Sequence, residues 1–380
     1  MLSLFCKSIF KTKTIMKFYF IIILICLLGC SPKDELKRKT IEINIKEKVK
    51  EDLPKLTIKS ATKLETNDSS LFGDISTVEY YLDRVYLLDM FSSKSVLAFS
   101  DKGGFVNKTK LGKGPDELIN PFALFVDRKE QNVLVWDQVL MTIFKFDLDL
   151  NFLSKEKYEG VPLIEFSKID KNKTLVRSHY NQDYAFTLYE GNTKSYKNQF
   201  VKDFKYSGGQ GLFRSISLGD RVLLISSFDY NIYEYLNEKV HSLYYLDFGK
   251  YKITNKDIAE KGVQGIWNLI SSGKKVSAPN EIAQSKNYLL FHVYFRSEPV
   301  YYIYSIYNEK VYRLNDYFDE GILPKCKVKG TLNDDQFYAL VEPKDMIEFQ
   351  KKHNTKLVNY KINLQDNPYI ITFRLDKKNN

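Results

Sequence analysis

From residue 56 onward the chain alternates apolar and polar positions in short runs rich in Val, Ile, Tyr and Phe, broken by Asp, Asn, Lys and Gly. Successive side chains of a strand point to opposite faces, so a period of two predicts β-strands separated by turns. The runs also repeat. Val85-Tyr86-Leu87-Leu88-Asp89 matches Val133-Leu134-Val135-Trp136-Asp137, Ser95 to Phe99 matches Thr142 to Phe146, and Phe105-Val106 matches Phe152-Leu153. A later pair, Tyr233 to Val240 and Tyr304 to Val311, ends in the same Asn-Glu-Lys-Val turn. Comparable strands start near Val85, Val133, Leu175, Val222, Tyr288 and Phe337, most of them 42 to 49 residues apart. Six units of that period, each with about four strands, predict an all-β fold: a six-bladed β-propeller of four-stranded antiparallel blades over residues 56–376. A spare strand at Lys55 to Glu65 precedes the first unit and is expected to close the ring by completing the last blade.

Two segments break the period. Residues 250–280 lie between the fourth and fifth units, with Thr254 or Asn255 as the N-cap of a short helix and Trp267 outside any alternating context. Residues 343–360 contain Met346, Ile347, Phe349 and Gln350, which read as a helical turn decorating the sixth blade.

Composition changes this picture little. With 380 residues, 44% of them hydrophobic, there is ample material for one large core. The formal charge of +10 falls to +6 once residues 1–29, with four lysines, are set aside, leaving 53 basic against 47 acidic residues. Lys and Glu are interleaved, which reads as a solvated surface and not as a nucleic-acid footprint; neither nucleic acid nor a cofactor is expected as a partner.

The first 29 residues read as a signal peptide: Lys7, Lys11, Lys13 and Lys17 precede an apolar run from Phe18 to Leu28, with no acid before Asp34. The run is too short to span a bilayer, which takes about 20 apolar residues. It ends in Leu27-Leu28-Gly29-Cys30, which resembles the lipobox of bacterial lipoproteins and implies lipid attachment at Cys30. An ordinary signal peptide with an incidental cysteine is the alternative, and Met16 is an alternative start. Residues 30–55, rich in charge, are expected to tether the propeller, and Ser31 to Glu35 resembles the acidic motif that directs lipoproteins of the Bacteroidetes to the cell surface. Processing at Cys30 would leave Cys326 as the one free thiol, so no internal disulfide is expected.

Leu64-Glu65-Thr66, Phe72-Gly73-Asp74-Ile75, Ser92-Ser93-Lys94-Ser95 and Gly112-Lys113-Gly114-Pro115-Asp116-Glu117 carry a further resemblance. Across residues 56–376 the chain resembles the six-bladed propeller lipoproteins of the Bacteroidetes, relatives of the NHL-type propellers. The resemblance implies the fold and an outer-membrane lipoprotein, and no particular activity.

The Gly112 to Glu117 stretch invites comparison with a phosphate loop, but it lacks the spacing and the hydroxyl, and Pro115 removes one amide donor. It is expected to join blade one to blade two. In a meander, the turn after each second strand and the link between blades fall on one face, and functional groups should gather there. The residues expected to close the second strands are Asp89, Asp137, His179, Ser226, His292 and Val341. Histidines and aspartates in a ring would suit zinc, but Asp at such a position commonly caps its own turn, and no metal site is assigned. No histidine sits beside an obvious Ser or Cys nucleophile.

What remains is a mouth rich in aromatics and arginine, from which Arg177, His179, Tyr230, Trp267, His292 and Arg296 are the candidate ligand-binding residues. The alternative is that these residues pack between blades. The expected function is a membrane-anchored, non-catalytic binding or scaffolding propeller for an envelope glycan, peptide or protein. A propeller lyase or hydrolase, with a metal or an acid and base at the central mouth, is the alternative.

Overall fold

The computed structural model describes residues 38–46, 53–159, 163–178, 184–191, 195–202, 216–218, 221–333, 336–353 and 356–376. The chain divides into Met1–Lys39 and Thr40–Asn380, and the ring of sheets belongs to the second unit. Cys30, His179 and the expected signal peptide lie outside the described residues.

Two strands, β1 (Lys39–Glu42) and β2 (Lys55–Lys63), precede the ring. Blade one is β3 (Ile75–Tyr81), β4 (Arg84–Asp89), β5 (Ser95–Ser100) and β6 (Phe105–Lys108). Blade two is β7 (Pro121–Asp127), β8 (Asn132–Asp137), β9 (Thr142–Phe146) and β10 (Phe152–Lys157). Blade three is β11 (Leu163–Lys168), β12 (Lys173–Ser178), β13 (Tyr184–Glu190) and β14 (Ser195–Lys202). Blade four is β15 (Ile216–Leu218), β16 (Arg221–Ile225), β17 (Asn231–Leu236) and β18 (Lys239–Asp247). The helix α1 (Asn255–Ser271) leads to blade five, which is β19 (Glu281–Gln284), β20 (Tyr288–Phe295), β21 (Glu298–Ser305) and β22 (Val311–Arg313). After the short helix α2 (Leu314–Asp319), blade six is β23 (Lys327–Thr331), β24 (Gln336–Val341) and, beyond the helix α3 (Pro343–His353), β25 (Tyr369–Asp376).

All six sheets are antiparallel meanders, and β2 completes the sixth, in register from Lys55 opposite Asp376 to Lys63 opposite Tyr369. The protein is therefore a six-bladed β-propeller whose last blade takes its outer strand from the N-terminal side. Second strands are apolar on both faces, as in β8, where all six residues are buried, because each blade is sandwiched between two others. The outer strand β10 is exposed throughout.

Six apolar clusters map onto the six blade interfaces. Val96 and Phe144 belong to the cluster between blades one and two, Trp136 and Val176 to that between two and three, and Leu188 and Leu224 to that between three and four. Tyr244 and Tyr302 join four to five, and Ile303 and Phe337 join five to six. Leu340 and Leu87 join six back to one, which closes the ring, and the Tyr338 hydroxyl adds a hydrogen bond to the Val78 carbonyl across that seam at 3.1 Å.

The segment expected as a tether contributes a strand. β1 lies alongside β18 as a fifth strand on blade four, and Ile41, Ile43 and Ile45 are buried in the cluster between blades four and five. The Ile43 amide donates to the Asp247 carbonyl at 2.9 Å.

Candidate functional site

In an antiparallel meander the connection between second and third strands and the link to the next blade emerge on one face. α1 and α2 are links, and α3 joins a second strand to a third, so the three helices share that face. Thr254 caps α1 in a reciprocal arrangement with Asp257, and Gly262, at φ 61°, breaks the helix midway into two segments. α3 is a helix of 11 residues, longer than the single turn expected there.

Blades one and two close this face with aspartates. Asp89 accepts hydrogen bonds from the amides of Gly73, Phe91, Ser92 and Ser93 at 2.8–3.1 Å, and Asp137 does the same for Ile119, Asn120, Val139 and Leu140 at 2.6–3.0 Å. Each carboxylate thereby ties its own turn to the incoming link. Burial alone would raise the Asp89 carboxyl, but the amides of Gly73, Ser93 and Ser92 outweigh it and hold the group below its ordinary value. Between these blades the Gly112 to Glu117 link folds over its own carboxylate, with the Gly114 amide donating to Glu117 Oε2 at 2.6 Å. A Cβ at Gly112 would come within 2.1 Å of that oxygen. The loop is a blade junction, and Glu117 occupies the place where a phosphate would need the amide.

The same face opens into a pocket of about 660 Å³ between blades five, six and one. β19 and β20 place Glu281 and His292 opposite each other in the pairing register, and His292 faces Tyr301 of β21 in turn. From blade six, β23 brings Lys327 and Lys329, preceded by Lys325 and Cys326, while Glu342 and Asp345 stand where β24 passes into α3. Trp267 reaches the pocket from the second segment of α1, edge-on to Tyr294 with centroids 6.1 Å apart. Its Nε1 is enclosed and has no acceptor among the described residues.

Charge in the pocket is arranged in depth. Lys329, whose side chain is 6% exposed, pairs with Glu281 Oε1 at 2.5 Å, joining the inner strands of blades five and six. The other oxygen of Glu281 lies 3.7 Å from His292 Nδ1, too far for a hydrogen bond. Burial lowers the His292 pKa to about 4, with Glu281 opposing and Lys329 reinforcing the shift, so the imidazole is neutral at ordinary pH. Nearer the rim, burial raises the Glu342 and Asp345 carboxyls against the pull of Lys327 and Lys325 respectively. Burial also pushes the Cys326 thiol well above its ordinary value, which leaves it protonated and unreactive.

The structure brings Trp267 and His292 into this one pocket and places the other described candidates elsewhere. β20 runs to Phe295, so His292 lies inside the strand and not at its end. The Tyr230 hydroxyl is buried, donating to the Val276 carbonyl and accepting from the Ile253 amide, each at 2.7 Å, where it pins both roots of the insertion. Arg177 is buried in β12 and donates to Ser227 Oγ of blade four at 2.9 Å. Arg296 is exposed at the turn after β20, with its guanidinium over the Phe295 ring. Glu281, Tyr301 and Lys329 are pocket residues that the sequence did not single out. Among the described residues no group of three His, Cys, Asp or Glu side chains is placed to hold a metal ion.

The fold has solved counterparts. A candidate exported protein of Bacteroides fragilis NCTC 9343 superposes with a TM-score of 0.74 at 16% identity, covering 90% of this chain and all of its own. A member of the DUF4221 family from Bacteroides vulgatus gives 0.54 at 9% identity, covering 84% of this chain and 98% of that one. At such identities the likeness is one of fold. No curated protein matches the chain. The family described as "Domain of unknown function (DUF4934)" matches residues 59–374, from within the closing strand β2 to within the last strand β25, and the chain belongs to that family.

Proposed function

We propose that this protein is an exported, lipid-anchored binding protein of the cell envelope, non-catalytic, whose ligand enters the pocket between blades five, six and one. One observation carries the binding reading. Beside the aromatic wall of blade five, the hydroxyls of Tyr294 and Tyr301 and the His292 imidazole line an open pocket with no hydrogen-bond partner among the described residues. Converging polar groups on an apolar wall in a cavity of this size are what a small-molecule site requires. The arrangement counts against nucleophilic catalysis here, because the neighbouring thiol is held protonated and His292 hydrogen-bonds to no nucleophile among the described residues. Export is supported by the basic and apolar leader, by Cys30, and by the likeness to a candidate exported protein.

The test is a glycan and peptide array probed with the protein and with its Trp267→Ala and His292→Ala variants. Binding that is lost in both variants while both stay folded supports the reading. Binding that neither variant alters moves the ligand away from this pocket. Anchoring is read separately: Cys30→Ser should leave the membrane fraction or remain unprocessed, and unchanged fractionation would refute the lipid.

A further inference from the structure

We propose that the pocket takes an uncharged saccharide, held through its hydroxyls against the aromatic wall of blade five; this rests on the binding reading above. Tyrosine hydroxyls donate and accept, and a neutral imidazole carries one donor and one acceptor. Asn280 spends its Nδ2 on Ser277 Oγ and the Ala278 carbonyl, both at 3.0 Å, which leaves Oδ1 as an acceptor at the pocket. The wall thus offers uncharged donors and acceptors in mixed order beside the faces of Trp267, Tyr294 and Tyr301. A sugar presents the same mixture, with each hydroxyl both donor and acceptor, together with apolar C–H faces for the rings.

Other ligand classes fit less well. Three lysines, at 325, 327 and 329, meet three carboxylates, at 281, 342 and 345, so the pocket has no net charge with which to hold a phosphate or carboxylate. Lys329 is occupied by Glu281, and Lys327 lies 3.8 Å from Glu342. A peptide added as a strand needs a row of backbone amides and carbonyls, whereas the groups converging here are side-chain tips.

The two tryptophans supply the assay. Trp136 is fully buried, and Trp267 is partly exposed and lines the pocket, so a ligand-induced change in fluorescence reports the site. The full-length protein is titrated with a panel of neutral hexoses and N-acetylhexosamines and their di- and trisaccharides, beside hexuronates and short peptides. Saturable binding of a neutral sugar, insensitive to added salt, is expected. Tyr294→Phe and Tyr301→Phe should each weaken it by up to roughly tenfold. Their unfolding midpoints should not move, because those hydroxyls have no hydrogen-bond partner among the described residues. A peptide or hexuronate that binds instead, and is lost in the same two variants, overturns the saccharide and leaves the pocket reading standing. A sugar bound with equal affinity by wild type and both variants removes the pocket from the account altogether. Failure of every neutral sugar in the panel to bind overturns the proposal.

Discussion

Replacing Glu281 by Ala tests how the floor of the pocket is held. Lys329 is almost wholly withdrawn from water, and Glu281, 19% exposed, is its partner at 2.5 Å. Removing the carboxylate takes a charge partner from an ammonium in a region that solvates it poorly, and deleting one member of a buried pair costs about 3–5 kcal/mol. Against a total stability of about 5–15 kcal/mol, that is a large share. The reverse change, Lys329→Met, should cost less. Its methylene packing survives, and the more exposed Glu281 can recover hydration. The double variant Glu281→Leu/Lys329→Met removes both charges and should lie near wild type, so the three variants report a coupling energy that neither single change gives. The assay is urea unfolding followed by tryptophan fluorescence, with a constant m-value as the condition for comparing midpoints. A Glu281→Ala protein within about 1 kcal/mol of wild type would place the pair among ordinary surface ion pairs and refute the argument.

Acid should weaken the fold through His292. Its folded pKa of about 4 lies below the ordinary 6.5, so the unfolded chain takes up the proton first; the stability it contributes is full above pH 6.5 and declines to its limit as pH falls through 4, by about 3 kcal/mol in all. Glu342 and Asp345, raised by burial, act in the opposite sense, and a His292→Gln variant whose stability falls as steeply as wild type between pH 6.5 and 4.5 would assign the loss elsewhere. Ile43→Ala should cost about 2–3 kcal/mol in unfolding free energy, because Ile43 is buried in the cluster between blades four and five, whereas a residue in a free tether would shift the midpoint hardly at all.

The ring was legible because a propeller repeats one constraint. Each second strand is buried on both faces, so Val85 to Asp89 and Val133 to Asp137 look alike, and the Asn-Glu-Lys-Val turns recur because the hairpins they close are equivalent. The closing strand was legible as one strand too many. β1 was not, although Ile41, Ile43 and Ile45 alternate, because charged neighbours made the segment resemble a tether and nothing local says that blade four offers an edge. The pocket was legible only in part. Glu281 and Lys329 are 48 residues apart, and nothing local to the lysines at 325, 327 and 329 says that the fold buries the last of them. Tyr230 stands at a turn on the expected face, but its hydroxyl serves the insertion's backbone, a use that only three-dimensional neighbours reveal.

The site's position follows from where that repetition fails. Asp89 reaches back to the amide of Gly73, ahead of β3, and Asp137 to those of Ile119 and Asn120, ahead of β7; each carboxylate knits the turn to the link. In blade six the corresponding residue is Val341, whose side chain has no acceptor to offer, and the incoming link at Lys325 and Cys326 goes untied by such a cap. Glu342, one position later, points its charge toward Lys327 across 3.8 Å and does not gather amides in Asp89's manner. Where blades one and two have a capped turn, blade six has α3 leaving the sheet, and α1 brings Trp267 from the neighbouring link. The pocket between blades five, six and one lies beside that uncapped turn. Val341→Asp would supply a side-chain acceptor where Asp89 and Asp137 stand in blades one and two, and the link it would tie carries the lysine wall of the pocket, so the change is expected to close the site.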